Sequence, residues 1–146
     1  MKWEPKTIVV GTDGSELAQH AAQVAADIAR KSGSTLHFVT VVRPPEGWWG
    51  VVGSPPSAAA LVDAMADAQR GALDATVASI DSHGLNIVTA EELGDPATQL
   101  VAYCESHDAD LLVIGKRGAG FMERLMMGSV ADRVVHGSEV PVLVVP

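Results

Sequence analysis

The chain has 146 residues, 47% of them apolar and 19% charged, and a formal net charge of −8. That length suits one domain, residues 1–146, with a buried core, and the acidic balance argues against a nucleic-acid or anionic-membrane binder. A lone cysteine, Cys104, excludes an internal disulfide, and neither a membrane-length apolar run nor a secretory leader is visible, so a cytoplasmic location is expected.

Thr7-Ile8-Val9-Val10 is a β-branched run ending at Gly11 and reads as a buried parallel strand. Thr12-Asp13-Gly14-Ser15 is a turn with two candidate helix caps, Asp13 and Ser15, and Glu16 suits the first turn of the helix that follows. Leu17, Ala21, Val24, Ala25 and Ile28 recur at helical spacing until Lys31-Ser32-Gly33 ends the helix. Residues 35–42 form the second strand. Residues 46–57 read as a loop, because they hold Gly47, Gly50, Gly53, Pro55 and Pro56. Trp48 and Trp49 in this loop either cover the edge of the core or shield a ligand mouth or partner surface.

From Ala58 to about Ser82, Leu61, Met65, Ala68, Ala72, Val77 and Ile80 mark a second helix, with Gly71 interrupting it at a cost of about 1 kcal/mol. Asn86 to Leu93 reads as an edge strand, polar at Thr89, Glu91 and Glu92. Gly94-Asp95-Pro96 starts a third helix, with Asp95 as N-cap and Pro96 at its first position, and Ala97, Leu100, Val101 and Cys104 as the buried stripe. Leu111-Leu112-Val113-Ile114 is a fully apolar fourth strand. A glycine-rich loop, a short helix opened by Ser129 and stopped at Gly137, and a fifth strand over 140–145 complete the chain.

Strands separated by helical crossovers imply an α/β fold with an open five-stranded parallel sheet, helices on both faces, doubly wound in the order 3-2-1-4-5. Strands one and four, the most uniformly apolar, are expected at the centre. Their C-terminal loops then meet where the strand order reverses, which is where open α/β sheets bind ligands.

Two loops would meet there. In Gly115-Lys116-Arg117-Gly118-Ala119-Gly120, Gly118 and Gly120 permit a concave nest of N–H groups, and Lys116, Arg117 and Arg124 against Glu123 make the loop locally basic. Ser129 followed by Asp132 reads as a capping box, so the donors at the start of the last helix would face the loop. The glycines serve equally well as a plain strand ending, and Ser129 as a plain cap. No Walker A or dinucleotide fingerprint occurs. The five histidines show no metal-ligand spacing, no nucleophile elbow or triad is present, and Cys104 falls on a buried stripe.

With these residues in view, the whole chain resembles the universal stress protein family in its nucleotide-binding form. Gly115, Gly118, Gly128 and Ser129 match the family motif G-x2-G-x9-G-[S/T], and the Gly11-Thr12-Asp13-Gly14-Ser15 turn, the Gly-Asp-Pro start and the closing Val-Pro-Val-Leu-Val-Val run fit as well. The resemblance implies an adenine nucleotide-like ligand: ATP, with or without Mg²⁺, or alternatively AMP or cyclic AMP. It implies that Asp13 and Val41 line the adenine pocket, that Gly115 and Gly118 approach the ribose and first phosphates, and that Gly128, Ser129 and the Val130 N–H hold the outer phosphates, with Gly11 and Thr12 as further binding residues. Arg117 counts as a further candidate contact. The family often pairs strand five across a dimer, and an apolar terminal strand bearing Pro141 suits an exposed edge. The expected function is a dimeric regulatory or stress-response binding module. The alternatives are a slow ATPase, for which no general base is evident near the outer phosphates, and a nucleotide-independent chaperone-like scaffold.

Overall fold

The computed structural model describes residues 2–43, 55–116 and 128–146. Strands and helices alternate along it: β1 (Thr7–Gly11), α1 (Glu16–Ser32), β2 (Thr35–Val42), α2 (Pro55–Ala78), β3 (Asn86–Leu93), α3 (Pro96–Ser106), β4 (Leu111–Gly115), α4 (Ser129–Gly137) and β5 (Val142–Val145). The strands form one sheet in the order β3-β2-β1-β4-β5, with every pairing parallel. β1 lies between β2 and β4, and Val10 is level with Phe38 on one side and Val113 on the other. The expected topology is therefore the observed one. Among the described residues no helix is long and apolar enough to cross a membrane.

Strand alternation divides the core in two. Ile8, Val10, Leu36, Phe38, Leu111 and Val113 point to the face covered by α1 and α2. Val9, Val39, Leu112 and Ile114 point to the face covered by α3 and α4. Fully burying one such side chain contributes about 1.5–3 kcal/mol, so these two layers dominate the stability.

Ser15 caps α1, its hydroxyl accepting the Ala18 N–H at 3.2 Å, and Gly33 ends the helix at φ 74°. Asp13 is not the cap. Its carboxylate accepts the Ser15 N–H at 2.9 Å in a turn that precedes the helix. The buried face of α1 is an alanine face, Ala18, Ala21, Ala22, Ala25, Ala26 and Ala29, while Val24 and Ile28 are only partly buried. The side chain of Leu17 lies outside the description. Small side chains let α1 approach the central strands closely; Ala21 and Ala25 are on the expected stripe, whereas Ala18, Ala22, Ala26 and Ala29 extend it.

Four further boundaries or faces differ from expectation. α2 begins at Pro55 and ends at Ala78, and its buried positions include Leu73 and Thr76, with Ile80 buried just past its end, whereas Ala68 is exposed. Proline suits the first turn of a helix, where its missing N–H costs nothing, so Pro55 and Pro56 open α2 and do not belong to the loop before it. On α3, Tyr103 is buried where Val101 was expected, because its hydroxyl meets His37 Nδ1 at 2.7 Å while its ring stacks on His107 at 3.8 Å. Burial, and secondarily His107, pulls the His37 pKa down. Pro141 precedes β5 and does not form part of it, and Leu112 N–H donates to its carbonyl at 2.9 Å. Cys104 is 1% exposed, and burial pushes its thiol up to about 12.

Two glycines differ in what they permit. Gly71 is exposed in the interior of α2 with open space where a Cβ would stand. Gly14 sits at φ 81°, and a Cβ there would collide with the Cβ of Ala72 on α2. Gly71→Ala is expected to raise stability by about 1 kcal/mol, or about 4 °C in Tm. Gly14→Ala should lower it by about 2–4 kcal/mol through backbone strain and overpacking. Thermal and urea unfolding of both variants check the contrast; an equal response at the two positions would contradict it.

Candidate functional site

The site is set by the sheet. β1 sends its chain to α1 on one face, and β4 sends its chain to α4 on the other, so a crevice opens between their C-terminal ends. Gly11, Thr12 and Asp13 leave β1 there, Gly115 and Lys116 leave β4, and Val41 stands near the end of β2. Gly11 is closely packed from below: a Cβ would come within 2.8 Å of Leu100 Cδ1 and 3.3 Å of Ile114 Cγ2. Thr12 donates its N–H to the Val39 carbonyl at 3.0 Å, extending the β1–β2 ladder into the turn. Asp13 is exposed at the rim, and Val41 is half-buried on the α3–α4 face.

The glycine loop is tied at both ends. Lys116 N–H donates to the Val145 carbonyl at 2.7 Å, and the Lys116 carbonyl accepts the Gly128 N–H at 2.8 Å. This brings Gly128, Ser129 and Val130 back beside the end of β4. Arg117, Gly118, Gly120, Glu123 and Arg124 lie outside the described residues, as do Trp48 and Trp49.

Ser129 is not the cap of α4. Gly128 occupies that position at φ −63° and ψ 158° without a side-chain hydrogen bond, and Ser129 is the first helical residue, exposed to solvent. The Ser129–Asp132 capping box is therefore not formed; the Asp132 N–H bonds the Gly128 carbonyl at 3.0 Å. A glycine cap brings no oxygen of its own to the first amides. Donors at such an end suit an external anion, and the Ser129 hydroxyl stands beside them.

Next to this end is an ion cluster that sequence spacing did not reveal. Asp95, the N-cap of α3, accepts Thr98 N–H at 3.1 Å and Thr98 Oγ1–H at 2.8 Å on one oxygen. Its other oxygen accepts Arg43 at 2.6 Å and Arg133 at 2.8 Å. The Arg133 hydrogen bond, followed by those from Thr98, holds the Asp95 carboxyl well below the usual carboxylate range. The cluster links the exit of β2, the start of α3 and the body of α4. No sequence pattern joins Arg43, Asp95 and Arg133, whose separations of dozens of residues carry no period. Between α3 and α4 runs a groove of about 370 Å³, with Ala97, Val101 and Arg133 among its lining, separate from the crevice at the strand ends. Among the described residues, no group of three or more His, Cys, Asp or Glu is arranged to hold a metal ion.

Comparisons with known proteins bear on the family and the fold. The family model described as "Universal stress protein family" matches residues 4–146. Universal stress protein MJ0531 of Methanocaldococcus jannaschii is 32% identical over 147 residues, covering 96% of this chain and 81% of that protein. Among solved structures, the universal stress protein UspA of Lactobacillus plantarum superposes with a TM-score of 0.78 at 25% identity, covering 99% of this chain and 100% of that one. A universal stress protein in complex with cAMP gives a TM-score of 0.66 at 28% identity, covering 99% and 98%. The fold is the adenine nucleotide alpha hydrolase-like variant of the doubly wound sheet.

The Asp95 cluster generates a prediction. Asp95→Asn keeps a competent helix cap and removes the charge, whereas Asp95→Ala removes both, so stability should fall in the order wild type, Asn, Ala, with Ala losing at least about 1 kcal/mol. Because the folded-state pKa is depressed, the advantage of wild type over Asp95→Asn should be full above pH 4 or so and shrink as the pH falls below it. Urea unfolding between pH 7 and pH 2.5 checks this; a pH-independent difference would count against the ion pairing.

Proposed function

The chain belongs to the universal stress protein family, and from that premise we propose that it is an adenine-nucleotide-binding regulatory module that works as a homodimer. The observation that carries this reading is the closure of Lys116 on Gly128. It sets Gly115 beside the uncapped start of α4, within the spacing Gly115-x2-Gly118-x9-Gly128-Ser129. On this reading ATP, with or without Mg²⁺, lies across the strand ends. Asp13 and Val41, with the backbone of Gly11 and Thr12, take the adenine end, and Gly115 and Gly118 take the ribose and first phosphates. Gly128, Ser129 and the Val130 N–H hold the outer phosphates, with Arg117 as a further cation. AMP and cyclic AMP are the competing ligands, and a cAMP complex of a 28% identical neighbour supports including them. No side chain placed at the phosphate end in this reading is a general base, so holding a nucleotide is favoured over cleaving one. A single domain of residues 1–146 in the cytoplasm, bound neither to nucleic acid nor to membrane, completes the reading.

The dimer would use β5. It is an edge strand, and the two bonds Leu112 N–H to Pro141 and Lys116 N–H to Val145 fix which of its groups face β4. By the alternation of a parallel ladder, the N–H groups of Val142 and Val144 point the other way, toward any added strand.

Denaturing the purified protein and identifying released nucleotide, together with thermal shifts against ATP, AMP and cyclic AMP, tests the ligand. Wild type should be stabilised by several degrees, and Ser129→Ala should weaken affinity roughly tenfold through loss of a phosphate hydrogen bond. A wild type that carries no nucleotide and responds to none sinks the reading. For assembly, sedimentation should show a wild-type dimer and a monomer for Val144→Pro, which deletes an outward donor while leaving the β4 ladder intact; an unchanged dimer would place the contact elsewhere.

A further inference from the structure

Behind the Asp13 turn, on the face opposite the α3–α4 core, stands a buried hydroxyl pair. Thr76 of α2 is 0% exposed, and its Oγ1 lies 3.1 Å from Thr12 Oγ1. A hydroxyl has one proton to give. That of Thr76 goes to the Ala72 carbonyl at 3.0 Å, so at the Thr12–Thr76 contact Thr12 must be the donor. Thr12 in turn accepts the Gly14 N–H at 3.2 Å. The chain therefore has one direction: Gly14 N–H to Thr12, Thr12 to Thr76, Thr76 to the backbone of α2. The same turn of α2 supplies Ala72, which leaves no room for a side chain on Gly14.

Asp13 sits between these two pinned residues. Its own carboxylate takes up the Ser15 N–H, so the rim residue is fixed on one side by α1 and on the other by α2. An apolar core would be served as well by valine at position 76, which has the same shape. What the hydroxyl adds is an acceptor for Thr12, and with it a defined path for residues 12–14. Without it, Thr12, a residue only 8% exposed, would turn its hydroxyl elsewhere for a partner and take the Gly14 amide with it.

We propose that Thr76 and Ala72 of α2 are positioning residues for the Asp13 turn, setting how tightly and how selectively the site takes the base of its nucleotide. They act through Thr12 and Gly14 and do not touch the ligand, and the inference rests on the nucleotide-binding reading above. The phosphate end, formed by β4 and α4, has no part in this hydrogen-bond chain. Disturbing position 76 therefore weakens recognition of the base while leaving the hold on phosphate intact.

The test measures ATP by calorimetry and GTP by competition on wild type, Thr76→Val and Thr76→Ser. ATP affinity should fall roughly tenfold in Thr76→Val, GTP affinity should stay within about twofold, and Thr76→Ser, which restores the hydroxyl, should recover wild-type discrimination. Ala72→Gly, which leaves both hydroxyls but frees the space behind Gly14, provides a second route should Thr76→Val not fold; it should lower the ATP-to-GTP ratio about threefold. An unchanged ratio, or an equal loss for both nucleotides, overturns the positioning role while leaving nucleotide binding in place. A wild type that binds neither nucleotide overturns the functional reading itself, and the positioning role with it.

Discussion

The pairing of β1 with β4 is the constraint on which the rest depends. A parallel pair puts both C-terminal ends on one edge of the sheet, and the crossovers that parallel strands require send the next helices to opposite faces. The crevice between them is thus a product of topology before any side chain is chosen. Residue choice then refines it. Glycine at position 11 lets Leu100 and Ile114 pack directly under the floor, and glycine at position 128 gives α4 a cap with no side-chain oxygen.

Charge is distributed consistently with this. The chain carries a net −8, yet the wall between β2, α3 and α4 holds two arginines against one carboxylate. Each exposed pair contributes little to stability by itself. Arg43 and Arg133 fold back onto Asp95 at the helix cap, and the Arg133 hydrogen bond is the main cause of its lowered pKa. At the start of α4 the local field of a helix terminus attracts an anion over a short range, which suits a ligand that is also held by shape.

Much of the fold was legible because the strong signals are local. The β-branched runs, the Asp95-Pro96 start, the Gly33 stop and the apolar fourth strand each depend on neighbours within a few residues. The errors share a different cause. Ser129 and Gly128 are adjacent and both acceptable as caps, so only the backbone path returning to Lys116 decides between them. Of the alanine face of α1, Ala21 and Ala25 could be read, while Ala18, Ala22, Ala26 and Ala29 escape a reading that favours large side chains. Tyr103 is buried through a partner on β2, and Thr76 matters through a partner 64 residues away. The turn that carries Asp13 at the end of β1 could be read from the chain, but the groups that hold it in place could not.

The burial of Cys104 beneath α3 has a practical side. Burial raises its thiol to about 12 and so disfavours the thiolate at neutral pH, and the packing of Leu100 and Tyr103 around it bars access. Air, peroxide and maleimide reagents all need that thiolate. The native chain is accordingly silent toward thiol chemistry, and a cysteine placed at an exposed position would be the sole reactive one. Spin labels or fluorophores can then be attached one at a time around the strand-end crevice without first removing anything from the core.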